Sequence, residues 1–384
     1  MGKRILRTKL CDLLGIDYPI LSAGMGPTLI GERTGAPVEL VVAVSEAGGL
    51  GVLGGSGFTV DELREAIREI RAKTDKPFGV DLLLPQKLDL GGGLGQAGIQ
   101  EMPLSLVVQS IPQAHQEWVQ KIKGEMGLSD AEIMVRMTTT TMRPLEAVKV
   151  CIEEKVPLFC AGLGNPGFMV EEAHAQGIKV LSITGNVKNA RRMAQSGIDL
   201  LVAQGHEGGG HTGRIGTMAL LPQVIDAASP VPVLAAGGIG DGRGVAAALA
   251  MGCVGVWVGT RFLATNEGGA LEVNKRRIIE STDEDTRVSR AYTGKTLRAS
   301  YNKFHDLWDN SGLEPLPFPT QVLISSSLLA AFIKANQDDY VGGLAGQISG
   351  LIKEIKPARQ VLEEMVEETV EILTRRLPEN VIAK

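Results

Sequence analysis

The sequence is poor in aromatic residues, in cysteine and in long apolar runs. Phe, Trp and Tyr make up only 4% of the 384 residues, and the four cysteines, Cys11, Cys151, Cys160 and Cys253, form no CxxC pair. Neither a disulfide scaffold nor a structural zinc site is therefore expected. The chain also lacks the roughly 20 consecutive apolar residues that a membrane span requires, so no membrane association is expected.

Charge of one sign is not in excess either. The chain has 39 Lys and Arg against 44 Asp and Glu, for a formal net charge of −5. Dedicated nucleic-acid binders normally carry a basic excess, so no nucleic-acid partner is expected. The N-terminus has no apolar run of signal-peptide length, and Leu6 stands where a myristoylation signal requires Ser or Thr. These features predict a globular enzyme with a cytoplasmic location.

Glycine, in contrast, is abundant at 48 residues, and it separates short apolar runs rich in Val, Ile and Leu. These runs are continuous rather than alternating, which indicates strands buried on both faces, as in a parallel sheet covered by helices. Eight strands with intervening helices predict an α/β fold of the (β/α)8 TIM barrel type, with a doubly wound open sheet as the alternative. The predicted strands are Pro19–Met25, Gly49–Leu53, Phe78–Leu84, Val156–Gly162, Lys179–Thr184, Asp199–Gln204, Val231–Ala236 and Val254–Gly259, and the helices between them include Val60–Ala72 (capped by Asp61), Pro144–Glu154, Phe168–Ala175, Val187–Ser196 and Gly242–Met251.

Three regions lie outside the strand–helix repeat. Residues 85–142 are too long for one crossover; they contain the run Gly91–Gly93 and a predicted helix, Pro112–Met126, and are interpreted as an insertion or lid region of a barrel spanning 1–265. Residues 266–340 are charged and lack strand patterning, which predicts a smaller helical substrate domain. Residues 341–384 form a C-terminal helical segment packing on the barrel, with one apolar helical face. That face consists of Leu362, Met365, Val366, Val370 and Leu373.

Glycine-rich segments follow the last three predicted strands, where ligand-binding loops of a barrel lie. They are Gln204–Gly213 (QGHEGGGHTG), Ala236–Gly242 (AGGIGDG) and Gly259–Arg261. Successive glycines let main-chain amides converge on an anion, and the loops after strands seven and eight form the usual phosphate site of such barrels. Tight turn packing is the alternative explanation. Neither a Walker A motif nor a dinucleotide-binding fingerprint is present.

Few titratable side chains are predicted to face the barrel mouth. His211 ends the first glycine-rich loop, where an imidazole can exchange a proton near neutral pH. His206 and Glu207 lack a third ligand at metal-binding spacing, so no metal is expected. Asp81 interrupts an apolar strand, and a buried carboxyl group needs a partner, which favours a ligand contact. Cys160, at the end of the fourth predicted strand, is either a residue that faces the site or, as is more usual for a buried Cys, a small core residue. The other histidines, His115, His174 and His305, are interpreted as surface or helix residues.

Three sequence blocks resemble the nitronate monooxygenase (2-nitropropane dioxygenase-like) flavoenzymes. They are PILSAGM, AQGHEGGGH and the long block AAGGIGDGRGVAAALAMGCVGVWVGTRFLATNE, and the related flavin-dependent enoyl-acyl-carrier-protein reductases and NADH:quinone reductases share them. The resemblance covers most of Leu10–Glu267 and, more weakly, Ala345–Gly350. It implies an FMN-binding (β/α)8 barrel.

The resemblance also implies roles for individual residues. His211 matches the active-site histidine, and Asp81 stands near the flavin where the family often has Asn. The residues that would contact the flavin are Ala23, Gly24, Met25, Gln204, Gly209 and Gly210, and those that would hold its phosphate are Gly237, Gly238, Gly259 and Thr260. Two departures concern the substrate. Cys160 stands where some nitronate oxidisers have a second His, and the Tyr- and Lys-rich C-terminal motif of the best-characterised class is absent.

The favoured function is an FMN-dependent nitronate monooxygenase that oxidises alkyl nitronates with O₂. The alternative is an NAD(P)H-dependent flavin reductase acting on quinones or enoyl thioesters, because one barrel, one flavin and one histidine can serve both reactions. A non-redox barrel enzyme acting on a sugar phosphate is a third hypothesis. The expected partners are thus a small-molecule substrate and O₂, with NAD(P)H in the alternative, and a homo-oligomer is possible.

Overall fold

A closed barrel of eight parallel strands forms the centre of the protein. The computed structural model describes residues 5–27, 32–84, 111–130, 143–318 and 320–382. The barrel strands are β1 (Ile20–Ser22), β2 (Gly51–Gly54), β3 (Phe78–Leu83), β4 (Leu158–Leu163), β5 (Lys179–Thr184), β6 (Leu200–Gln204), β8 (Val233–Ala236) and β9 (Gly255–Val258), where β7 is the short strand Gly210–His211 outside the barrel. Strand β1 pairs with β9, and a bridge between Leu21 and Leu50 closes the ring on its other side. The predicted barrel is therefore confirmed.

Both faces of each barrel strand are buried, which explains the continuous apolar runs. Leu21, Val52 and Leu181 point into the barrel and pack in one interior cluster. Their neighbours along the strands, such as Ile20 and Leu53, pack outward against the helices in a second cluster. Successive side chains of each strand point alternately into the barrel and toward the helices. The sequence nevertheless shows no alternation of apolar and polar residues, because both faces pack against apolar side chains.

The N-terminal helix, Lys9–Leu14, closes one end of the barrel. Leu10 and Leu14 belong to the interior cluster, and a Cβ atom at Gly255 would lie 2.5 Å from the side chain of Leu10. The hydroxyl of Thr8 accepts a hydrogen bond from Leu10 N at the start of this helix and donates to Val254 O at 2.5 Å. This plug lies at the amino ends of the strands and leaves the carboxyl ends for a ligand.

The five helices predicted between the barrel strands lie close to their predicted positions, as Val60–Lys73, Pro144–Glu153, Val170–Ala175, Val187–Ala194 and Gly242–Ala250. Three further barrel helices were not predicted: Val38–Glu46, Thr217–Ala228 and Thr260–Leu263. Asp61 does not cap its helix as predicted, because Thr59 accepts from Glu62 N while the Glu62 carboxylate accepts from Thr59 N, a reciprocal capping box. Among the described ranges, no helix combines the length and apolar character that a membrane crossing requires.

Residues 266–340, called here the outer segment, contain two strands as well as helices. Strands β10 (Thr286–Ser289) and β11 (Leu297–Ser300) are antiparallel, and β11 also pairs with β7. The helices are Glu272–Glu280, Lys303–Asp309 and Thr320–Lys334. Phe304, Trp308 and Phe332 form a core here with Val119 of the helix Gln113–Glu125. These two strands were not predicted from the sequence, because each has only four residues and contains an arginine, Arg287 in β10 and Arg298 in β11. The predicted lid stretch around residues 91–98 lies outside the described residues.

The helix Ala358–Glu371 packs on the barrel helices Val38–Glu46 and Gly242–Ala250. Leu362, Met365 and Val366 on its predicted apolar face are buried, whereas Leu373 is exposed. Leu373 lies beyond this helix, in the π-helical turn Ile372–Arg376, after which the short helix Leu377–Asn380 follows. The boundaries of the three predicted domains stay a prediction.

Candidate functional site

A cavity of about 910 Å³ opens at the carboxyl ends of the barrel strands. Every residue singled out by the sequence for catalysis or cofactor binding lies in its wall: Ala23, Gly24, Met25, Asp81, Gln204, Gly209, Gly210, His211, Gly237, Gly238, Gly259 and Thr260. Residues from strands on all sides of the barrel therefore meet at one place. The volume is near the upper end of the range of about 300–1,000 Å³ that is typical of ligand pockets.

His211 lies where the barrel meets the outer segment. It belongs to β7, in register with Leu297 of β11, and its Nε2 atom is 3.2 Å from the hydroxyl of Thr293. Burial, together with the positive charge of Lys295, lowers the pKa of His211 to about 4. The imidazole is therefore neutral at pH 7 and can accept a proton. Which ring nitrogen is free to do so depends on the tautomer, because the Thr293 hydroxyl can also donate to the carbonyl of Lys295 at 3.4 Å.

The loop before His211 is held in shape by side chains at its two ends. The Gln204 amide donates to His211 O at 2.9 Å and so draws the end of the loop back to β6. The Glu207 carboxylate accepts from the backbone and hydroxyl of Thr217, at the start of the helix Thr217–Ala228. A carboxylate is favourable there because the first amides of a helix lack partners and carry partial positive charge. Glu207 therefore has a structural role that supports the glycines.

His206 and Cys160, the other candidates near this loop, do not line the cavity. Nδ1 of His206 is 2.7 Å from Gly213 O, and the guanidinium of the buried Arg298 donates to His206 O. Cys160 is fully buried in the barrel interior, and burial raises the pKa of its thiol well above the usual range. No group of three or more His, Cys, Asp or Glu able to hold a metal occurs in the described part of the chain.

The loops after β8 and β9 need glycine for two different reasons. Gly237 and Gly238 have φ values of +91° and +74°, in the left-handed region that other residues avoid. Gly259 has φ −98°, and a Cβ atom there would lie 3.6 Å from Ala23 and 3.7 Å from Met25, in ordinary contact. The fold thus has room for a side chain at Gly259, and such a side chain would occupy part of the cavity. Thr260 is anchored beside it, because its hydroxyl accepts from Gly346 N at 3.0 Å.

Asp81 contributes an incompletely paired carboxyl group to the cavity wall. The residue is 6% exposed, and its Oδ1 atom is buried without a hydrogen-bond partner among the described residues. Burial raises the pKa of Asp81 well above its usual range, although the Gly162 amide donates to the carboxyl group and opposes that shift. A buried polar atom without a partner in a ligand-sized cavity indicates a site for a polar ligand atom.

The wall formed by the outer segment was not predicted from the sequence. The lining residues of the segment are Tyr292, Thr293, Phe318, Val322, Leu323, Ser325, Ser326 and Leu329, and Leu344 just beyond it lies on the same side. Most are apolar, and nothing in the sequence distinguishes an apolar residue of the cavity wall from one of the core. The AGQISG stretch was the one available signal, because its Gly346 and Ile348 also line the cavity.

The remaining histidines take no part in the cavity, and all three lie in helices. His174 is partly exposed and pairs with Asp199, as expected for a surface residue. His115 and His305 are buried rather than exposed, in the core of the outer segment. Their helical position agrees with the prediction. Their burial was not marked in the sequence, because it depends on β10, β11 and the helices around them.

Comparison with known proteins identifies close relatives over the full chain. The profile of the nitronate monooxygenase family matches residues 7–368. A putative monooxygenase of Mycobacterium tuberculosis is 35% identical over 383 residues, covering 95% of this chain and 97% of its own. Nitroalkane oxidase from Streptomyces ansochromogenes is 29% identical with a TM-score of 0.76, covering 95% of this chain and 99% of its own. FabK from Thermotoga maritima is 32% identical with a TM-score of 0.73, covering 98% and 100%.

Proposed function

The chain belongs to the nitronate monooxygenase family of flavin-dependent oxidoreductases, and we propose that it binds FMN and oxidises alkyl nitronates with O₂. One observation carries the proposal. The residues that the family resemblance implies for the flavin, its phosphate and the catalytic base all line a single cavity, and the base, His211, is neutral there. Nitroalkane oxidase, a structural relative of this chain, acts on a closely related class of compound.

The residues of the cavity fit FMN. Gly237, Gly238, Gly259 and Thr260 offer a glycine-lined cradle for the phosphate at the carboxyl ends of β8 and β9, the usual phosphate position in such barrels. Ala23, Gly24, Met25, Gln204, Gly209 and Gly210 would surround the ring system. Asp81 Oδ1, without a partner among the described residues, would face a polar atom of the flavin. Bound there, FMN would supply the redox chemistry, the transfer of electrons from the nitronate to O₂.

His211 is assigned the proton transfer that a neutral nitroalkane requires. A C–H bond beside the nitro group breaks, the proton moves to the imidazole, and the electron pair passes into the nitro group to give the nitronate. The base must be neutral before this step, and its lowered pKa keeps it so. The Thr293 hydroxyl, 3.2 Å from Nε2, orients the ring. A preformed nitronate has already lost this proton and does not need the step.

The outer segment supplies the environment for the alkyl group. Phe318, Val322 and Leu329 line the cavity on the side opposite the barrel. An apolar wall excludes water and binds an alkyl chain through the apolar surface that it buries. Among the described residues of the outer segment that line the cavity, none carries a charge that could recognise a carboxylate or phosphate on the substrate. We therefore assign to this wall the choice among alkyl nitronates.

The deciding experiment is an anaerobic absorbance titration of the purified protein with bound FMN. Addition of an alkyl nitronate should bleach the flavin spectrum, and readmission of O₂ should restore it. Addition of NADH or NADPH is the matched comparison and should leave the spectrum unchanged. Rapid bleaching by a nicotinamide without bleaching by the nitronate would contradict the proposal. A purified protein that binds no flavin would contradict the cofactor assignment as well.

The alternative, an NAD(P)H-dependent flavin reductase, has one observation in its favour. FabK from Thermotoga maritima matches 98% of the chain at 32% identity, slightly higher identity than nitroalkane oxidase. The same barrel, flavin and histidine can serve either reaction. Steady-state oxidation of NADH or NADPH with a quinone or an enoyl thioester is the direct assay for it.

A further inference from the structure

Asp81 places a carboxyl group in the cavity wall without a charge to balance it. Among the described residues, no Lys, Arg or His forms an ion pair with Asp81, and its Oδ1 atom has no hydrogen-bond partner. On the other side of the group, the Gly162 amide donates to the carboxyl. One donor is too few for a buried carboxylate, which normally requires a cation or two to three donors.

The carboxyl group is also fixed in place by the backbone around it. A Cβ atom at Gly24 would lie 2.2 Å from Cβ of Asp81, and one at Gly162 would lie 2.9 Å from Oδ1. Glycine at both positions therefore lets the loop after β1 and strand β4 pack directly against the side chain. The close backbone on these two sides leaves the cavity as the side from which a ligand atom can reach the carboxyl group.

Resting on the proposed FMN site, we propose that Asp81 is a neutral carboxylic acid that donates its O–H hydrogen bond to an acceptor atom of the flavin ring. A neutral acid has one donor and can still accept from Gly162 N, so both sides of the group are satisfied. In this form Asp81 offers one hydrogen-bond donor and one acceptor, as the side-chain amide of an asparagine at this position would. An ionised Asp81 can only accept hydrogen bonds. It would therefore place its carboxylate oxygen against an acceptor atom of the flavin with no hydrogen between them.

The other titratable groups around Asp81 leave this proton in place. Cys160, its register partner on β4, is fully buried, and its raised thiol pKa keeps it neutral. His211 across the cavity is neutral because its pKa is about 4. Besides Asp81, the charged side chains among the described residues of the cavity wall are Glu207, which is hydrogen-bonded to Thr217, and Glu32, Arg33 and Arg192. None of these charges is a cause of the raised pKa of Asp81, which follows from burial.

The test is the affinity of the apoprotein for FMN, measured by quenching of flavin fluorescence between pH 6 and pH 10. Asp81→Asn keeps the size and a donor but cannot ionise, and Asp81→Ala removes the group. At pH 7 the wild type and Asp81→Asn should bind FMN within about threefold of each other, and Asp81→Ala at least tenfold more weakly. At alkaline pH the wild type should lose at least tenfold in affinity relative to Asp81→Asn. Circular dichroism confirms that each variant is folded.

Infrared spectroscopy gives a second readout that does not depend on affinity or on the alanine variant. The wild-type holoprotein at pH 7 should show the C=O band of a protonated carboxylic acid, which shifts in D₂O and is absent in Asp81→Asn. A missing band together with FMN binding at least tenfold weaker in Asp81→Asn would show that Asp81 is ionised, and would overturn the assignment. Full affinity in folded Asp81→Ala would also overturn it. Failure of the wild type to bind FMN would instead overturn the proposed function on which the assignment rests.

Discussion

Replacement of His211 by Asn should separate the two kinds of substrate. Asn retains hydrogen-bonding capacity toward Thr293, which lies 3.2 Å from His211 Nε2, but it cannot take up a proton. A positioned general base contributes roughly 10²- to 10⁴-fold to a proton transfer. We therefore expect His211→Asn to lower turnover of a neutral nitroalkane by about 10²- to 10⁴-fold and turnover of its preformed nitronate by less, because the nitronate has already lost its proton.

The pH dependence of the wild type follows from the lowered pKa of His211. Burial brings this pKa from 6.5 to about 4, so the neutral form persists further into acid. At pH 5.5 an imidazole of pKa about 4 is about 97% neutral, whereas an unperturbed one is about 9% neutral. The rate on the neutral nitroalkane at pH 5.5 should thus stay close to its own plateau near pH 8, whereas a histidine of ordinary pKa would retain about a tenth of its plateau rate.

The assay is the initial rate of O₂ consumption with a nitroalkane and, separately, with its freshly prepared nitronate, from pH 4.5 to pH 8. His174→Asn is the matched control, because His174 is partly exposed, pairs with Asp199 and does not line the cavity. Its rates should equal those of the wild type with both substrates. Equal losses on both substrates in His211→Asn, or an acidic limb of the wild-type profile near pH 6.5, would refute the assignment of His211 as a base of lowered pKa.

Three further predictions follow from the same structure. Lys295→Gln removes the positive charge that helps to lower the pKa of His211, so the acidic limb of the pH–rate profile should move to higher pH. A limb at the wild-type pH would exclude this charge as a cause of the lowered pKa. Gly259→Val should weaken FMN binding at least tenfold at unchanged melting temperature. Gly124→Val is the control, because a Cβ atom at Gly124 would meet nothing within 4 Å. Full FMN occupancy in Gly259→Val would argue against placing the FMN phosphate beside Gly259. His305, fully buried with a pKa of about 4, binds fewer protons folded than unfolded between pH 4 and 6.5. It should therefore cost the fold up to about 3 kcal/mol as pH falls through that window, and urea unfolding of His305→Gln should show a shallower pH dependence; an equal slope would contradict the lowered pKa.

The barrel was predictable because its strands are buried on both faces and repeat at regular intervals. All eight strands and the glycine loops after β6, β8 and β9 lie where the sequence predicts them. The family resemblance is confirmed by the profile match over residues 7–368. The grouping of the twelve site residues around one cavity follows from this topology, because parallel strands end on the same side.

The opposite wall of the cavity could not be predicted, since it depends on tertiary contacts. Strands β10 and β11 are short, and the pairing of β11 with β7 joins residues about 90 positions apart in the chain. Thr293 acquires its position beside His211 through that pairing, and no local pattern marks it. The burial of His305 could not be predicted for the same reason, because aromatic neighbours such as Tyr292 produce it.

The pairing of β7 with β11 also limits how the protein can be recombined. Gly210 and His211 emerge from the barrel, yet they are strand partners of Arg298 and Leu297 in the outer segment. A chimera that joins this barrel to another protein's outer segment would therefore replace two of the three strands in the sheet that orients His211. Exchange of substrate preference between relatives should succeed when residues 205–213 are transplanted together with the outer segment, as one inherited block.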